Sequence, residues 1–292
     1  MNLTPELHQE IAGYLADSIN KTLIIARLAI KQIAPADAER LIAEVEQFNA
    51  EALALSAAPV VQSNVVNTLP FATATMPVTV PKAIVSEENI IIAKDVKIRV
   101  LMRMTGKPHV ALFENVLSNE ECDALIAASE VKLKQSTVVS NKDGSSEVDP
   151  VRSSSGTYFS LGEPLVKELE ERLAILAGWP VTSGENIQVM RYNEGEEYKP
   201  HFDYFDPTIA GSKSHIVNGN RVATIIVYLS DVAAGGSTVF PAFNLHIVPK
   251  KGTALFFSYD TPTAASMSLH GGSPVVRGQK WIATKWMREI KK

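Results

Sequence analysis

The 292-residue chain predicts an α+β protein, with helices packed on a β-sandwich or jelly roll and a helical hairpin in front. Three observations carry this prediction. Apolar residues recur at helical spacing through the first 55 positions. Two further helical segments lie between residues 118 and 178, each with a start or stop signal. After residue 187 the pattern changes to short apolar runs separated by turns.

The first stripe runs through Leu7, Ile11, Leu15, Ile19, Leu23, Ala26, Ile30 and Ile33, at steps of three or four. Thr4 followed by Pro5 suits an N-cap and the first helical position. Pro35 breaks the pattern, and a second stripe follows through Leu41, Val45, Phe48, Ala52 and Leu55. Two stripes with a short break predict an antiparallel hairpin over residues 1–55. Stripes this apolar serve equally well for packing on the chain's own catalytic domain or for pairing as a homodimer.

Residues 56–83 read as a linker. No charged side chain occurs from 52 to 81, and Pro59, Pro70, Pro77 and Pro81 exclude a helix or a central strand. The remaining domain spans 84–292. Ile/Val-rich runs predict strands between 84 and 104. Ser118 with Glu121 forms a capping box ahead of a helix to about residue 132. Residues 140–156, rich in Ser, Asp, Asn and Gly, predict a mobile loop. Residues 164–177 predict a second helix that Gly178 ends. Strands are then expected at 187–192, 222–229, 253–258 and 280–288.

The formal net charge is −4, from 28 basic and 32 acidic residues, so nothing global attracts nucleic acid or an anionic membrane. Cys122 is the single cysteine, which excludes an internal disulfide. No basic-then-apolar leader opens the chain and no apolar run approaches 18 residues, so a cytoplasmic protein is expected.

The most informative residues are His201-Phe202-Asp203. Side chains alternate along a strand, so His201 and Asp203 would face one metal ion together. His270 follows 67 residues after Asp203, and Lys280 ten residues later. Two histidines and a carboxylate make the facial triad of non-haem Fe(II) oxygenases, with open coordination positions beside the protein ligands. His8, His109, His215 and His246 have no such companions and read as ordinary residues. On the last strand, Lys280, Ile282, Thr284, Trp286 and Arg288 share one face, which would line the barrel interior.

Blocks in one order extend this signal: Glu120-Glu121-Cys122-Asp123, Arg152-Ser153-Ser154, Gln188-Val189-Met190-Arg191-Tyr192 and Arg221-Val222-Ala223-Thr224. Further on come Gly235-Gly236-Ser237-Thr238-Val239-Phe240-Pro241, His270-Gly271-Gly272-Ser273-Pro274-Val275 and Gly278-Gln279-Lys280-Trp281. From about residue 107 to 288 the sequence resembles the prolyl 4-hydroxylase catalytic domain of the Fe(II)- and 2-oxoglutarate-dependent dioxygenases.

The resemblance implies a double-stranded β-helix (jelly roll) core. It maps the iron ligands onto His201, Asp203 and His270. Lys280 would pair with the distal carboxylate of 2-oxoglutarate, and Tyr192 and Thr238 would hydrogen-bond that carboxylate. Trp286 would wall the pocket near the reacting carbon. Arg221 and Arg288 would contact the peptide, with loops 140–156 and 204–220 closing over it. The implied reaction consumes O2 and 2-oxoglutarate and releases succinate and CO2. L-Ascorbate would restore oxidised iron. The implied substrate is a proline-containing peptide or protein. Oxidation of another residue or of a free small molecule is the alternative, and a non-catalytic binding module is a third reading.

Overall fold

In the computed structural model the described residues are Leu7, Ile11, Lys21, Ile24, Ile25 and Leu28, then 33–57, 80–82, 88–140, 142–147 and 151–289. Most of the expected linker, and most of the first arm of the expected hairpin, fall outside them. The chain divides into two compact units, Met1–Thr73 and Ala74–Lys292.

In the first unit, α1 (Pro35–Ala57) begins at the proline that interrupts the two stripes, because proline suits a first helical turn. Ile11, Ile24, Leu28 and Ile33 are buried with Ala38, Leu41, Ile42 and Val45 in one apolar cluster. No helix among the described residues is long and apolar enough to cross a membrane.

The second unit has a predominantly antiparallel β core, consistent with a jelly roll. Its strands are β1 (Ile90–Ala93), β2 (Val96–Met104), β3 (His109–Glu114), β4 (Lys134–Gln135), β5 (Val138–Val139), β6 (Ser146–Glu147), β7 (Ser155–Phe159), β8 (Ile187–Tyr192) and β9 (Tyr198–His201). They continue as β10 (Arg221–Tyr228), β11 (Ala234–Gly235), β12 (Thr238–Phe240), β13 (Leu245–Ile247), β14 (Ala254–Ser258), β15 (His270–Gly272), β16 (Val275–Arg277) and β17 (Lys280–Arg288). One sheet has nine strands in the order β1-β2-β3-β14-β10-β17-β8-β7-β4, and a smaller one has four in the order β13-β12-β15-β9.

Alternation sorts the side chains of the large sheet into two cores. Ile225 and Val227 of β10, Ala283 and Met287 of β17, and Val189 of β8 join one cluster with the buried faces of α2 (Asn119–Glu130) and α3 (Pro164–Ala177). Ile226, Tyr228, Ile282, Met190 and Tyr192 join the other, with Phe240 of β12 and Ile247 of β13. Helices therefore cover one face, and the small sheet packs on the other.

The helix signals operate as physical caps. Ser118 Oγ accepts from the Glu121 amide at 3.2 Å, and Glu121 Oε2 accepts from the Ser118 amide at 2.8 Å. Glu121 also bridges to Arg172 of α3 at 2.8 Å, tying the two helices together. Gly178 ends α3 at φ +59°. Val138 and Val139 pair with Ser146 and Glu147 as a short hairpin, and Ser155 begins β7.

Candidate active site

His201 ends β9 and pairs directly with His270 of the neighbouring β15. This register, not alternation along one strand, brings the ligands together. Asp203 lies beyond the end of β9, so the expectation that it shares a strand face with His201 is corrected. A bend in the chain after β9 brings its carboxylate back instead. Asp203 Oδ1 is 3.5 Å from His201 Nε2, and Asp203 Oδ2 is 3.5 Å from His270 Nε2. One ligand atom from each residue lies within 4.8 Å of the others. Among the described residues no other group of three such side chains is placed to hold a metal ion.

Each histidine is oriented from behind. Nδ1 of His201 donates to the Lys199 carbonyl at 2.8 Å, and Nδ1 of His270 donates to the Ser268 carbonyl at 3.0 Å. Both Nε2 atoms are thereby left as lone-pair donors facing the carboxylate. Tyr198 stacks on His201 at 3.6 Å. Thr224 Oγ1 donates to Asp203 Oδ2 at 2.7 Å. Burial pushes the Asp203 carboxyl up, but His270, His201 and Arg221 outweigh it and hold the group well below the usual carboxylate range. Burial lowers His270 to about 4, against the opposing pull of Asp203. A neutral imidazole beside an ionised carboxylate is the state a divalent cation needs. No side chain fits at Gly271, where a Cβ would stand 2.9 Å from the Tyr198 carbonyl oxygen on β9.

His201, Asp203, His270, Lys280, Tyr192, Thr238 and Trp286 all line one cavity. Lys280 is 3% exposed, and among the described residues no carboxylate acts on it as a charge partner. Its ammonium lies 5.5 Å from the Tyr192 ring centroid and 6.0 Å from that of Tyr228. Burial lowers its pKa to about 8. Tyr228 donates to Thr238 Oγ1 at 2.8 Å, which leaves the threonine's own hydrogen free to point elsewhere. Thr284 Oγ1 and Trp286 Nε1 are buried with no hydrogen-bond partner among the described residues. Such groups on a cavity wall suit a polar ligand.

A groove of about 1190 Å³ adjoins the cavity and shares Arg152, Tyr198, His201, Asp203 and Trp286 with it. Arg221 lines the groove, stacked 4.0 Å over Trp286. Arg288 lines neither space. Its guanidinium donates to Glu185 at 2.7 Å and to the carbonyls of His215 and Gly219.

Thr224, Tyr228, Arg152 and Glu185 went unassigned in the sequence. Alternation on β10 was a usable signal for Thr224 and Tyr228, since both share a face with Ile226. Arg152 and Glu185 stand outside named strands and carry no such signal.

Residues 187–288 match the family model of the 2OG-Fe(II) oxygenase superfamily. The chain is 38% identical over 210 residues to probable prolyl 4-hydroxylase 4 of Arabidopsis thaliana, covering 63% of this chain and 69% of the relative. It belongs to the prolyl 4-hydroxylase family of 2OG-Fe(II) oxygenases. Prolyl 4-hydroxylase 5 of the same plant is 39% identical over 205 residues, covering 63% of this chain and 69% of its own. Among solved structures, viral collagen prolyl hydroxylase from Paramecium Bursaria Chlorella virus-1, in its 2OG complex, aligns with a TM-score of 0.49 and 29% identity. That alignment covers 62% of this chain and 96% of the viral one.

As a member of the prolyl 4-hydroxylase family, the chain is a 2-oxoglutarate-dependent dioxygenase that uses Fe(II). The residues present fit both groups. Two imidazole nitrogens and a carboxylate are the donor set of non-haem Fe(II), and a buried lysine without a carboxylate partner suits a dicarboxylic acid.

Proposed function

We propose that this oxygenase hydroxylates the 4-position of a prolyl residue in a peptide or protein. The observation that carries this reading is the joint placement of His201, Asp203, His270 and Lys280 on one cavity that opens into a groove of peptide dimensions.

In this reading His201, Asp203 and His270 hold Fe(II) in a facial triad. Bound there with 2-oxoglutarate, the iron supplies the oxidising power that places one atom of O2 into a C–H bond while succinate and CO2 leave. Lys280 meets the distal carboxylate of the co-substrate, with the Tyr192 and Thr238 hydroxyls donating beside it. A fixed ammonium in a dry site is worth more to a dianion than one in water.

Trp286 separates the co-substrate from the groove, and Arg221 presents a flat cationic face beside it. Phe202, Tyr204, Phe205 and Tyr198 give the groove an aromatic wall, which suits the apolar faces of a proline-containing segment. Arg288 acts on the peptide indirectly, by fixing the loop that carries Phe205.

Incubation with Fe(II), 2-oxoglutarate, O2 and poly-L-proline tests the reading. A mass gain of one oxygen atom per modified residue, with succinate released in equal amount, is expected. Succinate released with free amino acids but with no peptide would move the assignment to a small-molecule oxygenase.

The N-terminal part of the proposal is a helical hairpin over residues 1–55 that pairs two copies of the chain, joined through 56–83 to the oxygenase domain at 84–292. The shared burial of Ile11, Ile24 and Leu28 with Leu41, Ile42 and Val45 supports the hairpin. Sedimentation of the chain with and without residues 1–80 tests the pairing. L-Ascorbate completes the proposed cofactor set, and its effect on turnover without peptide tests that role.

A further inference from the structure

Two segments wall the groove. Residues 137–142 contribute Val139, Ser140 and Lys142, and residues 204–212 contribute Phe205, Ile209 and Ser212. The loops that carry them meet beyond the groove residues. His215 Nε2 donates to the carbonyl of Gly144 at 2.9 Å. Gly144 has φ +77°, and a Cβ there would stand 2.5 Å from the Gly211 carbonyl oxygen and 3.0 Å from Ser214 Oγ. Backbone conformation and close approach therefore both call for glycine at this point.

A line of contacts runs from this meeting point to the cavity. The His215 ring stacks on Phe205 at 4.9 Å and 14°. The Arg221 guanidinium lies 4.8 Å from the Phe205 centroid and 4.0 Å from that of Trp286. From the other side, the His215 carbonyl accepts from Arg288, which also holds Gly219. Glu185 binds both Arg221 and Arg288 at 2.7 Å. The histidine is thus held through its ring face, its Nε2 and its carbonyl, and it touches neither the metal cluster nor Lys280.

We infer that His215, latched on Gly144, is a positioning residue for the peptide substrate. It fixes the spacing between the two groove walls and passes that spacing through Phe205 and Arg221 to Trp286. The inference rests on the reading of the groove as the peptide site. A peptide entering a groove whose wall is already ordered loses less entropy than one that must order the wall itself.

The test uses the full chain and the variants His215→Ala, His215→Phe, His215→Gln and Gly144→Ala. Amide hydrogen exchange without any ligand comes first. Residues 138–147 are expected to exchange faster in His215→Ala and His215→Phe, although both changes lie in the opposite loop. Phenylalanine keeps the stack on Phe205 and donates nothing. Glutamine, whose amide can donate to Gly144, returns the exchange toward the parent rate. Gly144→Ala speeds exchange in 204–215. Unchanged exchange across the loops in all these variants overturns the latch.

Steady-state turnover with poly-L-proline then reads the positioning role. The peptide KM is expected to rise about tenfold to a hundredfold in His215→Ala and Gly144→Ala. The KM for 2-oxoglutarate and the peptide-independent turnover change by less than about twofold. An unchanged peptide KM, or an equal rise in both KM values, overturns the role. If the parent protein leaves poly-L-proline unmodified, the peptide reading of the groove fails, and the exchange measurement still decides the latch.

Discussion

Lys280 stands opposite Tyr192 in the antiparallel register of β17 and β8, with its ammonium 5.5 Å from the tyrosine ring centroid. The next inward pairs are Ile282 with Met190 and Thr284 with Gln188. On the other side of β17, Trp286 pairs with Thr224, whose hydroxyl donates to Asp203. Two antiparallel ladders thus place a cation at one end of the cavity and the support of a metal ligand at the other. The distance between them is set by backbone register, which is far stiffer than any side chain.

The first prediction concerns the cation itself. Lys280→Met keeps most of the side-chain volume and removes the charge. A hydrogen bond to a charged group contributes ~1.5–3 kcal/mol, so the KM for 2-oxoglutarate should rise about 10- to 100-fold. Fe(II) affinity without co-substrate should be nearly unchanged, because the lysine contacts none of the three ligands. Anaerobic titration of Fe(II), followed by 2-oxoglutarate, separates the two.

The same residue predicts a pH dependence. Burial lowers Lys280 to about 8 in the folded protein. An unfolded lysine titrates near ~10.4. Between those values the unfolded state binds the extra proton, so this group's contribution to stability rises with pH across the window. Below pH 8 the charged, unpartnered ammonium opposes folding, by up to ~3 kcal/mol. Lys280→Met should therefore melt higher than the parent at pH 7 without ligand. Ligand binding runs the other way: above pH 8 the dianion must restore a proton, so its KM climbs by at most about tenfold per pH unit. A melting temperature in Lys280→Met below the parent's at pH 7 would contradict this account.

Thr224 supplies a prediction on metal binding. Its hydroxyl donates to Asp203 Oδ2 at 2.7 Å and lies 3.1 Å from the Tyr259 hydroxyl, with the threonine fully buried. Thr224→Val keeps the shape and removes the donor. Partners of metal ligands typically carry 10- to 100-fold in metal affinity or activity, and a loss of about that size is expected in Fe(II) titration. His270→Ala, by comparison, should abolish stoichiometric binding.

Glu185 gives a prediction that joins stability to substrate use. It accepts from Arg221 at 2.7 and 2.8 Å and from Arg288 at 2.7 Å. Burial raises its pKa, yet the two arginines outweigh it and hold the carboxyl below its usual range. The stability it brings is present above the unfolded carboxylate pKa and is lost as pH falls through the lower, folded one. Glu185→Gln leaves two guanidiniums facing each other and should cost ~2–4 kcal/mol, toward the lower end because the groups are partly solvated. Its peptide KM should rise while the 2-oxoglutarate KM holds. Denaturant unfolding and paired KM measurements read both effects.

These predictions divide between residues that were legible in the sequence and residues that were not. Lys280, Ile282, Thr284 and Trp286 were legible because β17 alternates faces over nine residues, and the structure puts all four on the cavity wall. Arg288 shares that parity, yet Glu185 and two loop carbonyls turn its guanidinium away from the cavity. Asp203 was found for an incomplete reason: cross-strand register brings His201 to His270, and a bend, not a pleat, delivers the carboxylate. Glu185 was invisible because only the fold brings it beside the end of β17, where its amide donates to the Trp286 carbonyl at 2.8 Å. Its partners stand 36 and 103 residues away, so no local pattern reports them.

A last prediction uses the second lysine of the same strand. Lys285 differs from Lys280 by an odd number of residues, so it points to the helix-covered face. There it meets Glu170 of α3 at 2.8 Å, with side-chain exposures of 3% and 1%. Glu170 also accepts from the Gly162 amide at 3.0 Å. Breaking such a buried pair from one side strands a charge in an apolar layer, and Glu170→Gln should cost ~3–5 kcal/mol. Replacing both, as Glu170→Gln with Lys285→Met, should recover much of that loss, because no bare cation remains. Since the pair faces away from the cavity, any properly folded variant should keep the parent's KM for 2-oxoglutarate. A double variant as unstable as Glu170→Gln alone would mean the pair holds α3 on the sheet by more than mutual charge compensation.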